Sequence, residues 1–236
     1  MLGDWNKFFS FVLEHSLLNH HQSIHYMSVT LIHSTEDGDN LVAYMARVSN
    51  PSNQNNTETS ARLIKYLIKH KHWSPFEMVN MCVQIETTRS VAAQILRHRS
   101  FSFQEFSQRY AEVGQLGKPA VPEFRLQDLK NRQNSIDVES NDPFLERDVI
   151  DLYHHSQQVY EKLLKAGVAK ECAREVLPLS TPTRMYMNGT LRSWIHYCDL
   201  RCDNGTQKEH RVIADQCKEL IALRFPQVFA AVWSDV

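Results

Sequence analysis

Between Arg97 and Tyr110 the chain reads Arg-His-Arg-Ser-Phe-Ser-Phe-Gln-Glu-Phe-Ser-Gln-Arg-Tyr, three basic side chains followed by a carboxylate, a serine and another arginine. Such a set suits an anionic ligand that also offers a neutral ring for stacking and hydrogen bonding. Extended from about Phe103, the stretch would place Glu105, Ser107 and Arg109 on one face and Gln104, Phe106 and Gln108 on the other, because strand side chains alternate. The guanidinium fork of an arginine on that face matches phosphate or carboxylate oxygens bidentately. Phe101, Phe103, Phe106 and Tyr110 either wall off water or fill a core, and core packing is expected because buried aromatic area dominates interiors.

A second group of candidates lies near residue 200. Arg192 and His196 are four apart and share a helix face, while Leu191, Ile195 and Cys198 turn the other way. Arg174 and Arg201 add forked cations that would converge on the same pocket, although each alone reads as a surface residue or salt-bridge partner. Ser107 invites a nucleophile reading, but no histidine is close in sequence and neighbouring Arg109 suits phosphate, so phosphate binding is preferred.

Composition bounds what these residues serve. A chain of 236 residues, 42% hydrophobic and 10% aromatic, has enough apolar content for one large globular domain. A formal net charge of -1 lacks the overall basic field of nucleic-acid binders, so the arginines read as a pocket rather than a stripe. The five cysteines, Cys82, Cys172, Cys198, Cys202 and Cys217, show no C-x-x-C spacing and point to reduced thiols in a cytosol-like compartment. No run approaches the roughly 20 apolar residues that span a bilayer. Phe8 to Leu18 is short, interrupted by Glu14 and without the flanks of a secretory signal. Twelve histidines raise a metal hydrolase, yet H-E-x-x-H is missing and the pairs His70/His72 and His154/His155 lack a carboxylate arrangement, so no metal is expected. The other rival is a non-catalytic nucleotide- or RNA-binding module, since basic and aromatic residues interleave as on stacking platforms.

The elements that must position these groups form an α+β pattern, a mixed sheet with several packed helices in a single domain. Residues 1–26, rich in histidine, read as an N-terminal extension, either a helix or a poorly ordered arm, ahead of a domain covering 27–236. Ser28 to His33 reads as a strand, and Asp39 to Val48 as a helix with Leu41, Val42, Met45 and Val48 on one face. A loop from Asn50 to Thr57 leads to a helix from Glu58 to His70. Val79, Met81, Val83 and Ile85 alternate with polar neighbours, the clearest strand signal in the chain. Thr88 to Leu96 returns to helical spacing and delivers Arg97 at a helix-to-loop transition. Lys130 to Pro143 reads as a surface loop, a lid or a plain excursion. A long helix to Lys165 follows, with Leu145, Val149, Leu152, Val159 and Leu163 near one face, then a shorter one from Val168 to Leu177. Thr190 is the expected N-cap of a helix to Leu200, and Thr206 to Phe225 the final long helix, closed by Pro226.

Arg97-His98-Arg99 with Ser102, Glu105, Ser107, Arg109 and Tyr110 resembles the motif of the flavin-dependent thymidylate synthases, R-H-R-x-x-S-x-N-E-x-S-x-R-Y. One fixed position differs: Gln104 stands where the motif has Asn, keeping an amide but lengthening it. The resemblance continues through Ala46-Arg47-Val48-Ser49, His72-Trp73-Ser74-Pro75-Phe76-Glu77, Arg174 with Leu177-Pro178, Arg192-Ser193, and Leu200-Arg201 followed by Gln207 and Glu209. It covers roughly Met27 to Phe225.

The resemblance implies a homotetramer with FAD-holding active sites between subunits. It implies conversion of dUMP to dTMP with methylenetetrahydrofolate as one-carbon donor and NADPH as reductant. Carried over by motif position, Ser49, His72, Ser74, Arg97, His98, Arg99, Glu105, Thr190, Arg192 and His196 would contact flavin. Gln94, Arg97, Glu105, Ser107, Gln108, Arg109, Arg174 and Arg201 would hold dUMP. Thr190 stands where many members have Asn, and Gly205 where some have His. Arg201 is the candidate catalytic group, a guanidinium beside the pyrimidine that favours its N3-deprotonated form. No cysteine lies in the Pro-Cys context of the classical thymidylate synthases, which agrees with flavin chemistry that needs no protein nucleophile.

Overall fold

In this computed structural model, which describes residues 27–139 and 142–234, the strand pattern after Met27 becomes β1 (Ser28–Ser34). The alternating stretch farther on becomes β2 (Asn80–Thr88), with Met81, Val83, Ile85 and Thr87 buried. The expected N-terminal extension lies outside the described residues. Two further strands, β3 (Ser102–Glu105) and β6 (Pro182–Thr190), complete a sheet of order β1-β2-β6-β3. A two-residue hairpin, β4 (Leu126–Gln127) with β5 (Ser135–Ile136), pairs Leu126 with Ile136 and occupies part of the expected surface loop.

Backbone bonds beyond the strand ends reveal direction. Thr35 N donates to Asn80 O at 2.9 Å, Leu191 N to Val79 O at 2.7 Å, and Phe106 N to Arg184 O at 2.8 Å. Each joins the end of one strand to the start of its neighbour, so the sheet is antiparallel and not mixed. Helical connections link antiparallel as well as parallel neighbours, and spacing along the chain does not distinguish them.

The expected sequence elements omit β6 altogether. Its alternation is present, with Thr183, Met185 and Met187 buried and Arg184 and Tyr186 exposed. Methionine carries no strong strand preference, however, and Pro182, Asn188 and Gly189 read as turn residues.

The helices are α1 (Gly38–Ala46), α2 (Ser60–Lys69), α3 (Arg89–Ile95), α4 (Pro143–Lys165), α5 (Lys170–Ala173), α6 (Leu191–Arg201), α7 (Lys208–Arg224) and α8 (Pro226–Trp233). Thr190 caps α6 as expected, its hydroxyl accepting from Ser193 N at 3.3 Å. The helix before Pro226 ends there as expected, α7 stopping at Arg224 with Phe225 out of helical conformation, but it is not the last: Pro226 opens α8, at a first-turn position where its missing N–H costs nothing. The Asp39 carboxylate accepts from Gln227 N at 2.9 Å and Val228 N at 3.1 Å, satisfying the first amides of α8. In α1, Val42 and Ala43 are buried while Met45 is exposed, and Val48 lies exposed beyond the helix end, so the core face is rotated from the expected one. In α4, Glu146 and Tyr160 are buried while Leu145 and Leu152 are exposed. The expected helix from Val168 to Leu177 is only the four residues of α5 and a 3-10 turn, Arg174–Val176.

The described residues form two compact units, each built from non-contiguous segments. The first holds Met27, residues 86–93 and residues 105–184; the second holds 28–85, 94–104 and the chain from Met185 on. No linker joins them, because the chain passes from one to the other inside β2, α3, β3 and β6. In the first, Val113, Tyr160 and Ala173 form a core with Leu163, Leu164, Val168 and Leu177 against it. In the second, Trp194 of α6 is fully buried and its indole N–H donates to Met81 O at 2.9 Å, which fixes α6 on the sheet. Truncating a side chain of that size in a core costs about 3–5 kcal/mol. Phe101 packs so closely on β6 that a Cβ at Gly189 would lie 2.4 Å from its ring, which explains a glycine near the end of the strand.

Candidate functional site

In the second unit the end of α6 and the turn after α3 bring Arg201 to His98. Arg201 Nε donates to His98 Nε2 at 2.9 Å, which requires that ring nitrogen to be unprotonated. Burial and then the Arg201 charge lower the His98 pKa from 6.5 to about 4, so the acceptor form is the one present near neutrality. The His98 ring meets Tyr197 edge-on with centroids 4.9 Å apart. Tyr197 in turn shares a hydrogen bond with His210, Nε2 to hydroxyl 3.1 Å, and both are buried. Burial, then the charges of Arg201 and His98, lower His210 to about 3. His210 Nδ1 has no hydrogen-bond partner among the described residues.

A second cluster in the same unit gathers at Glu77, in the 3-10 turn Ser74–Met78. Its carboxylate accepts from Thr190 Oγ1 at 2.8 Å and from Arg192 at 2.6 Å, and the Arg192 bond comes first among the causes that hold its pKa below the usual carboxylate value. Trp73 meets the His196 ring with centroids 4.7 Å apart. Arg192, His196, His72 and Ser74 are all exposed. Ser49 is exposed just beyond α1, where Arg47 is buried and holds the following loop through Asn56 O and Thr59 Oγ1, the latter at 2.8 Å. Gln94 donates to Gln207 at 2.6 Å, whereas Arg97 and Arg99 are exposed on the turn that His98 N closes on Ile95 O.

The remaining predicted residues belong to the first unit. Glu105 accepts from Arg89 at 2.5 Å and from Thr183 Oγ1 at 2.9 Å. The extended run expected from Phe103 stops at Glu105: Tyr110 N and Ala111 N both close on Ser107 O, at 3.1 and 3.0 Å. The backbone turns there, yet Ser107 and Arg109 are exposed and Gln108 is buried, on opposite sides as expected, and Tyr110 is exposed as well. Tyr110, 87% exposed, does not fill a core. Arg109 binds Glu171 through Nε at 3.0 Å and a terminal nitrogen at 2.8 Å. Ser107, Arg109 and Tyr110 face Ala169, Lys170 and Glu171 across an open cavity of about 340 Å³. Arg174 is half-buried and paired with Glu175 at 3.4 Å.

The five cysteines are free, and burial or neighbouring thiols raise Cys82, Cys198 and Cys217 above the ordinary thiol value. Such thiols are poor nucleophiles. Among the described residues no three His, Cys, Asp or Glu side chains gather as a metal would need, and no helix is long and apolar enough to cross a membrane.

Residues 30–227 match the family described as thymidylate synthase complementing protein. The probable flavin-dependent thymidylate synthase of Paramecium bursaria Chlorella virus 1 is 50% identical over 210 residues, covering 87% of this chain and 96% of the relative. The flavin-dependent thymidylate synthase of Synechocystis is 47% identical over 216 residues, covering 89% and 98%. The chain belongs to the flavin-dependent thymidylate synthase family. The fold agrees: a crystal structure of the UMP/dUMP methylase PolB from Streptomyces cacaoi, bound with 5-Br dUMP, superposes with a TM-score of 0.77 at 28% identity, over 87% of this chain and 93% of that one.

For this member of the flavin-dependent thymidylate synthase family, the structure adds residues that the motif does not name. Arg89 and Thr183 hold Glu105, Glu77 holds Thr190 and Arg192, and Tyr197 with His210 backs His98. Glu77 stands within a motif segment, but only its contacts reveal its task. Arg89, Thr183 and His210 carry no local sequence signal, because each is tied to a partner at least 13 positions away.

Proposed function

We propose that this protein methylates dUMP to dTMP, using methylenetetrahydrofolate as one-carbon donor and NADPH as reductant, with FAD as cofactor in a homotetramer whose subunits share sites. Residues 27–236 form the synthase domain in this reading. The observation that carries it is the Arg201–His98 bond at 2.9 Å, which aims a half-buried guanidinium from a neutral imidazole. A fixed cation of this kind beside the pyrimidine favours loss of the N3 proton and pushes electron density to C5.

The residues present fit a flavin. Its pyrophosphate needs cations, which Arg97, Arg99 and Arg192 supply, and its ring edge needs donors and acceptors, which the exposed His72, Ser74 and His196 and the half-buried Thr190 supply. FAD, when bound, supplies hydride transfer between NADPH and the one-carbon unit. Ser49, His98 and Glu105 complete the cofactor group. On the substrate side Ser107 and Arg109, with Arg174, bind the phosphate, while Gln94, Arg97, Glu105 and Gln108 orient the nucleoside. No cysteine serves as nucleophile, in keeping with the raised thiols of Cys82, Cys198 and Cys217. Five free cysteines also suit a reducing, cytoplasmic setting.

The test is tritium release from C5-labelled dUMP in the presence of FAD, NADPH and methylenetetrahydrofolate. Release that requires all three is expected. Protein that cannot be reconstituted with FAD, releases no label and binds RNA with a steep salt dependence would instead identify a binding module.

A further inference from the structure

Arg109 is already engaged. Its Nε and one terminal nitrogen both donate to a single Glu171 oxygen, at 3.0 and 2.8 Å, along the edge of the guanidinium that matches a phosphate. Both side chains are more than half exposed, 67% for Arg109 and 51% for Glu171. An ion pair in that setting is weak and exchangeable. It lies on the rim of the 340 Å³ cavity, where Lys170 stands beside it and donates from Nζ to Tyr110 O at 3.0 Å.

We propose that Glu171 is an internal competitor for the nucleotide phosphate and that Lys170 is a further cation of the same subsite, neither residue belonging to the family motif. The proposal rests on the reading of Ser107 and Arg109 as phosphate ligands. A phosphomonoester dianion and the Glu171 carboxylate accept from the same guanidinium edge, so one displaces the other. Once displaced, Glu171 remains near a group of like charge, and its presence weakens binding in proportion to that repulsion. Lys170 acts in the opposite sense, retaining the phosphate and tethering the exposed turn at Tyr110. The pair therefore sets affinity for the phosphate without touching base or sugar, and selects a doubly charged monophosphate over an uncharged nucleoside.

Calorimetric titration of the full-length, FAD-loaded protein with dUMP and, separately, with deoxyuridine tests this. Glu171→Gln keeps the shape and removes the charge, and is expected to tighten dUMP roughly three- to tenfold while leaving deoxyuridine unchanged. Lys170→Met is expected to weaken dUMP by a similar factor, again without effect on deoxyuridine. Unchanged or weaker dUMP binding in Glu171→Gln, or equal tightening of both ligands, overturns the proposal. Arg109→Ala separates the two levels. If wild type binds dUMP and Arg109→Ala weakens it, but Glu171→Gln does not tighten it, the competitor is wrong and the phosphate site stands. If Arg109→Ala binds dUMP as wild type does, both fall.

Discussion

Arg201 and His98 stand 103 positions apart, and their bond at 2.9 Å runs from a permanent cation to an imidazole nitrogen that must stay bare to accept it. In the proposed reaction that polarity divides the tasks, with Arg201 acting on the pyrimidine and His98 holding the guanidinium in place. Arg201→Ala is expected to retain flavin and lose dTMP formation by about a hundredfold or more, the usual cost of removing one preorganised electrostatic donor. Flavin absorbance and product formation on the same preparation check both halves.

Acid should weaken the fold through His98 and His210. Their folded pKa values, about 4 and about 3, lie below the ordinary 6.5, so the unfolded chain takes up protons first as pH falls. The associated stability is complete above about pH 6.5 and drains away as pH drops toward 4 and 3. From about pH 7 to about pH 5 each ring accounts for up to about 2 kcal/mol. Urea midpoints across that range should fall in wild type and fall less in His210→Leu.

Tyr197→Phe removes the hydroxyl that shares a bond with buried His210 Nε2. With Nδ1 already lacking a partner among the described residues, the imidazole is left with both nitrogens unsatisfied. A loss of about 1–3 kcal/mol is expected, and the Tyr197→Phe, His210→Leu double variant should recover part of it because no buried polar group remains stranded. Urea unfolding of the single and double variants measures the coupling.

Glu77→Gln should separate stability from cofactor retention. The carboxylate is partly exposed, so its loss changes folding stability by no more than about 1 kcal/mol. Arg192 and Thr190 both bind it, however, and if they hold flavin as proposed their placement should slacken. A lower FAD-to-protein ratio at nearly unchanged Tm is the expected result, read from absorbance and a thermal scan.

Gly189→Val should destabilise by about 1–3 kcal/mol, because its Cβ would lie 2.4 Å from the buried Phe101 ring. Chemical unfolding measures it. Trp194, Tyr197 and Phe101 pack edge to face around that point, so their near-UV signal should change as well.

Much of the architecture was legible one element at a time. Alternation from 79 to 86 announced β2, and Thr190 announced the start of α6, since both signals are local. The strand β6 escaped because methionine fills its core face and turn-forming residues punctuate it. The rotated core face of α1 and the exposed Leu145 and Leu152 of α4 escaped for a different reason: periodicity shows that a helix has an apolar side, while the neighbours decide how much of it is covered.

At the candidate site the same division holds. Residue types and their order in the chain were sufficient to identify the cluster from Arg97 to Tyr110, the cations at 174, 192 and 201, and the family resemblance, because these depend on covalent sequence alone. Only the tertiary structure decided which charges meet. Arg89 rather than a motif residue holds Glu105, Glu77 gathers Thr190 and Arg192, Glu171 engages Arg109, and a buried Tyr197–His210 pair backs the imidazole that aims Arg201. Ion pairs and hydrogen bonds are made at 2.5 to 3.1 Å across segments far apart in the chain, and spacing along a sequence carries no information about such approaches until the sheet and helices have closed.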